Sequence, residues 1–84
     1  MTARRSLTVQ EVNPLKNQRL LLLFSNGHSK VFNVSQHMAS SSAMPELMDD
    51  AYFDKVSVNE SGVEWPNGPR LTPEFLYDYG IRVS

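Results

Sequence analysis

The alternation of apolar and polar positions predicts short strands in the first half of the chain and short helical segments later. Leu7-Thr8-Val9-Gln10-Glu11-Val12 alternates with period two. It predicts a half-buried strand with Leu7, Val9 and Glu11 on one side and Thr8, Gln10 and Val12 on the other. Asn13-Pro14 predicts a turn, because proline has no N–H to give to a ladder. Arg19 to Phe24 reads as a continuous apolar strand, the pattern of a central strand covered on both faces or covered by a partner. Ser25-Asn26-Gly27 is a hairpin signal, since Asn-Gly supplies two residues that tolerate positive φ. Ser29 to Val34 alternates again, with Val31 opposed to Phe32 and Val34. These three segments read as an antiparallel meander.

Beyond the meander the period changes. Ser35 is a good N-cap, and Ser35-Gln36-His37-Met38 reads as a helical turn. Ala39 to Ala43 is small and polar, a flexible loop. Met44 to Met48 suits a second helical turn with Pro45 at its first position. Ala51-Tyr52-Phe53 leads into Asp54 to Asn59, an alternating fourth strand. Glu60-Ser61-Gly62 is a turn, and Val63-Glu64-Trp65 a fifth strand that Pro66 ends or places at an edge. Thr72-Pro73-Glu74 is a full helix start: Thr72 at N-cap, Pro73 at N1 and Glu74 in the electropositive first turn. That helix is predicted to end at Tyr79, with Gly80 as its C′ residue, and to dock through Phe75, Leu76 and Tyr79.

Composition narrows the class. Eighty-four residues make one domain, 1–84, with residues 1–6 as a flexible arm. The hydrophobic share of 40% is enough for a folded core. There is no cysteine, hence no disulfide or thiolate metal site. No apolar run approaches the ~20 residues of a membrane span, and no secretory signal opens the chain, so a cytoplasmic protein is expected. The net charge of −1 runs against a nucleic-acid binder.

Several runs together resemble a known family. They are Leu22 to Gly27, Phe32-Asn33-Val34, Leu47 to Val56, Trp65-Pro66-Asn67-Gly68 and Leu71 to Tyr77. In that order and spacing they look like the bacterial domain-of-unknown-function family 2442. The resemblance covers about Leu7 to Tyr79 and implies a small α+β domain with an antiparallel sheet. Some longer relatives resemble transcription regulators because a helix-turn-helix domain follows, and that domain is not among the residues that match here. The family commonly has Asp-Gly where Asn26-Gly27 stands, which keeps the turn chemistry. It often has an acidic residue before the Leu where Pro69-Arg70 stands, so no role of that carboxylate carries over.

Candidate chemistry is sparse. Trp65-Pro66-Asn67-Gly68 suits a pocket wall, with an indole face, an amide and an exposed turn backbone. The competing reading is structural: Pro and Gly shape a bend, Asn67 takes a left-handed conformation, and Trp65 fills the core. Asp49, Asp50 and Asp54 form an acidic cluster without EF-hand spacing and read as solvated or capping residues. His28 and His37, both expected to be exposed, lack further ligands for zinc. Arg4, Arg5, Arg19, Lys30 and Arg70 make a basic strip only if the first strands align them. No nucleophile elbow or phosphate loop is present in the sequence.

The expected fold is therefore α+β: a two-layer, five-stranded, mainly antiparallel sheet, with a three-stranded meander first, short helical turns, and a C-terminal helix packed on the sheet. The expected function is a non-enzymatic protein-interaction module, an accessory subunit of a small bacterial regulatory system. No catalytic residue, cofactor or metal is expected. The partner is a second copy or another small protein, met by Leu21, Leu23, Trp65, Asn67, Arg70 and Tyr77 through apolar anchoring and hydrogen bonds. Two other readings stay open: a nucleic-acid or regulator-associated domain, and a small-ligand sensor around Trp65.

Overall fold

Strand β2 (Arg19–Phe24) organises the fold, and its two neighbours define the main sheet. The structure, a computed structural model, describes residues 7–83. The expected N-terminal arm over residues 1–6 lies outside the described residues. β1 (Val9–Leu15) and β3 (Ser29–Asn33) flank β2 antiparallel, as the meander requires. Three short helices follow: α1 (Val34–His37), α2 (Met44–Leu47) and α3 (Asp50–Phe53). Then come β4 (Ser57–Asn59), β5 (Gly62–Glu64), β6 (Arg70–Leu71), α4 (Pro73–Tyr79) and β7 (Ile81–Arg82).

The strands form two antiparallel sheets, one of four strands in the order β1-β2-β3-β7 and one of three in the order β4-β5-β6. This corrects the single five-stranded sheet. The meander heads the larger sheet, while the fourth and fifth expected strands pair with each other in the smaller one, where β6 adds to the fifth. The two-residue strands β6 and β7 are too short to leave a periodic trace in the sequence.

Register explains the core. Opposed residues of an antiparallel pair share a face. Leu20 pairs with Phe32 and Leu22 with Lys30, while Val12 pairs with Leu22 and Val9 with Phe24. This inner face buries Val9, Leu20, Leu22, Phe24 and Phe32. Phe53, Val63, Leu71 and Leu76, from the helices and the second sheet, and Trp65, just past β5, join the same cluster. A bulge between Val9 and Glu11 resets the phase of β1. Val9 and Val12 therefore share the inner face and Glu11 turns outward, correcting the simple alternation expected there.

Local details depart from expectation for physical reasons. Asn13-Pro14 stays within β1, an outer strand where a missing N–H is tolerated. The chain turns instead at Asn17 and Gln18, with φ of 64° and 56°. At the second turn only Gly27 takes positive φ, 90°, while Asn26 accepts the His28 N–H through its side chain at 3.0 Å. Helix α1 is capped by Asn33, which accepts from the backbone of Gln36, rather than by Ser35. Asp49 caps α3, so Ala51-Tyr52-Phe53 is helical. Helix α4 starts as read, with Thr72 accepting from Phe75 N–H and Pro73 in the first turn. Its Gly80 is extended at φ −77° rather than left-handed. Its buried stripe is Pro73 and Leu76, whereas Tyr79 is 54% exposed.

Candidate functional site

Among the described residues, three places carry enough exposed chemistry to consider, and the sheet register positions the largest. The face of the main sheet opposite the core presents Arg19, Leu21 and Leu23 from β2, and Glu11, Asn13 and Leu15 from β1. Ser29, Val31 and Asn33 come from β3, and Ile81 pairs with Val31 from β7. Leu15, Leu21, Leu23 and Val31 are half-buried, and Ile81 is 72% exposed. None of them belongs to the core cluster or packs against it. The result is an apolar centre, with Glu11 near one end of the strands and Arg19 near the other.

The second place is a cleft of about 580 Å³ at the β1–β2 turn. Its apolar wall is Pro14, Leu15, Met48 and Phe53, and its polar wall is Lys16, Asn17, Gln18, Asp50 and Asp54. Gln18 is buried, and its side-chain amide donates to Asp50 Oδ1 at 2.9 Å. The backbone carbonyl of Gln18 also accepts the Val34 N–H. These bonds hold a left-handed conformation that glutamine rarely adopts, so the turn is set by tertiary contacts. Asn17 suits its left-handed position, but nothing local signals Gln18, because Asn-Gly, the usual marker, stands at the other hairpin.

The third place joins α4 to the β2–β3 hairpin. Tyr77 packs edge-on against Phe24 at 5.0 Å and lies parallel to His28 at 5.8 Å. Its hydroxyl lies 2.6 Å from His28 Nδ1 and accepts from Asn26 Nδ2 at 3.2 Å. The Lys30 ammonium sits 3.6 Å above the ring and donates to the Tyr77 carbonyl. Cation–π and hydrogen-bond contacts of this kind fix the angle of the helix on the sheet. His37 likewise lies over Phe32 at 5.0 Å. Both histidines are half-buried against rings, a correction to their expected exposure.

The residues singled out in the sequence do not converge. Leu21 and Leu23 stand on the outer face and Tyr77 on the core side of the same sheet. Trp65 is 2% exposed and donates its indole N–H to the Phe53 carbonyl at 2.9 Å. The turn after it is closed by Gly68 N–H to Trp65 O and Trp65 N–H to Pro69 O, with Asn67 left-handed at φ 53°. Tyr52 clamps this turn, its hydroxyl donating to Pro66 O at 2.9 Å. A side chain at Gly68 would strike that hydroxyl, since a Cβ would lie 2.0 Å from it. Loss of water around the ring, with the Glu46 carboxylate nearby, raises the Tyr52 hydroxyl above its ordinary pKa. Arg70 is exposed on β6, 3.9 Å from Glu64. Lys30 and Arg19 point to opposite faces of the sheet and Arg70 belongs to the other sheet, so these three form no strip. Arg4 and Arg5 lie outside the described residues.

Among the described residues there is no group of three or more His, Cys, Asp or Glu able to hold a metal, and no helix long and apolar enough to cross a membrane. The architecture defines a small α+β domain of antiparallel sheets and short helices. Residues 9–82 match the family described as "Protein of unknown function (DUF2442)", and the chain belongs to it. No curated protein and no solved structure matches the chain.

Proposed function

We propose that the chain is a non-enzymatic protein-interaction module that works as an accessory subunit in a small bacterial regulatory system. The contact surface is the outer face of the main sheet. The observation that carries this reading is that Leu21, Leu23, Val31 and Ile81 share one face and none packs against the core. Three of the four are half-buried and Ile81 is exposed, and contiguous apolar side chains left partly open and rimmed by polar ones suit a docking surface. Leu21 and Leu23 supply the anchors. Asn67, Arg70 and Tyr77 lie away from this face and take no part in the contact, while Trp65 supports the fold from inside.

Affinity capture with the tagged chain and with Leu21→Lys/Leu23→Lys tests the reading, after nuclease treatment. A stoichiometric protein, or a second copy, held by the parent and lost by the variant is the expected result. Equal capture by both forms would remove the outer face from the interaction. Loss of the bound protein on nuclease treatment would point to nucleic acid instead.

A further inference from the structure

The partner of this face follows from the arrangement of its charges. We infer that the outer face docks a second copy of the same chain, related by a two-fold axis that lies between the sheets and runs across the strands. This rests on the interaction reading above and adds the identity and orientation of the occupant.

The face has three rows. Leu15, Arg19 and Asn33 form one end, Asn13, Leu21, Val31 and Ile81 the middle, and Glu11, Leu23 and Ser29 the other end. Two copies can meet face to face about two in-plane axes. An axis along the strands lays each end row on its own counterpart and crowds Arg19 towards Arg19. An axis across the strands reverses the rows while keeping each strand over itself. Arg19 then lies over Leu23 of the second copy, one strand away from that copy's Glu11, about 4.8 Å to the side and within reach of its long side chain. The same pair recurs by symmetry, as an isologous contact requires. The middle row meets its own image, so Leu21, Val31 and Ile81 stack on their equivalents. Sheets stacked this way pack about 10 Å apart, which their side chains fill.

Area sets the strength. Four strands at about 4.8 Å spacing and three rows about 6.7 Å apart make a face of roughly 300–400 Å². A standard interface buries about 800 Å² per partner, so the association is weak and depends on concentration. Arginine–glutamate pairs at the rim of such a contact select orientation more than they add affinity.

Sedimentation equilibrium of the full chain up to millimolar concentration, at low salt, tests the proposal. The parent is expected to dimerise and Leu21→Lys to remain monomeric, with Leu21→Ser as a milder variant and circular dichroism as the check on folding. Arg19→Glu and Glu11→Arg each lower the association constant about tenfold, and together restore it to within about threefold. A monomeric parent over the whole range, or a Leu21→Lys variant that still dimerises, overturns the second copy as occupant. Face-dependent capture of a different protein would then leave the interaction reading intact. A double variant no better than the single ones, with Leu21→Lys still monomeric, overturns the end-for-end orientation.

Discussion

Leu20 and Leu22 are fully buried, while Leu21 and Leu23, the same residue type in the same strand, are only half-buried. Nothing in the side chains distinguishes the pairs. The difference lies in what the remaining chain supplies. The helices, the smaller sheet and the turn after β5 contribute Phe53, Leu76, Val63 and Trp65 to the cluster around Leu20 and Leu22. Among the described residues, no comparable set packs on Leu21 and Leu23. Burial of a leucine in β2 is thus a property of the elements packed on it. An apolar run in a small domain marks either a core strand or a strand with one face left for something else.

The sharpest test of this comparison is truncation on each side. Leu22→Ala should cost about 3 kcal/mol, because it opens a cavity in a fully packed cluster. Leu21→Ala should cost less than about 1 kcal/mol in the monomer, measured by urea unfolding at low concentration. Equal costs would mean the two faces are equally packed and the comparison fails. Trp65→Phe tests the far side of the core, since it shrinks a buried ring and leaves the Phe53 carbonyl without its donor. A loss of about 2 kcal/mol is expected, read from thermal unfolding by circular dichroism.

Tyr52→Phe should have the smallest effect, a lower midpoint than the parent but a higher one than Trp65→Phe. Its pH dependence has a definite sign. The Tyr52 pKa is raised above 10.0 in the folded chain. Its contribution to stability is therefore full below the unfolded value and is lost as pH rises through the folded one. The parent should weaken in that alkaline window, and the Phe variant should show a shallower fall in the same titration.

Much of this comparison was readable in the residues. The apolar run marks β2, and the Thr72-Pro73-Glu74 start marks α4, because each rests on local chemistry. The meander follows from three strands joined by short turns. Other features depend on distant partners and leave no local trace. The left-handed Gln18 is held by Asp50 and Val34, 32 and 16 residues away. The bulge near Gln10 inverts the expected side of Val12 without any glycine to announce it. Two-residue strands such as β7 exist only because β3 offers an edge. At the candidate site, Leu21 and Leu23 stood out as apolar excess. The places of Glu11 and Arg19 at the two ends of the face are visible only in the register. Trp65 reads in the sequence as either a pocket wall or a core ring, and its burial at 2% exposure matches the second.

That indole has a practical consequence. It is the single Trp of the chain, and it is sealed from solvent on the side of the main sheet away from the open face. Its emission should be blue-shifted when the chain is folded and move to the red only when the core opens. Docking at Leu21 and Leu23 should leave that spectrum unchanged. The molecule therefore carries its own optical gauge of folding, one that a ligand on the outer face does not disturb.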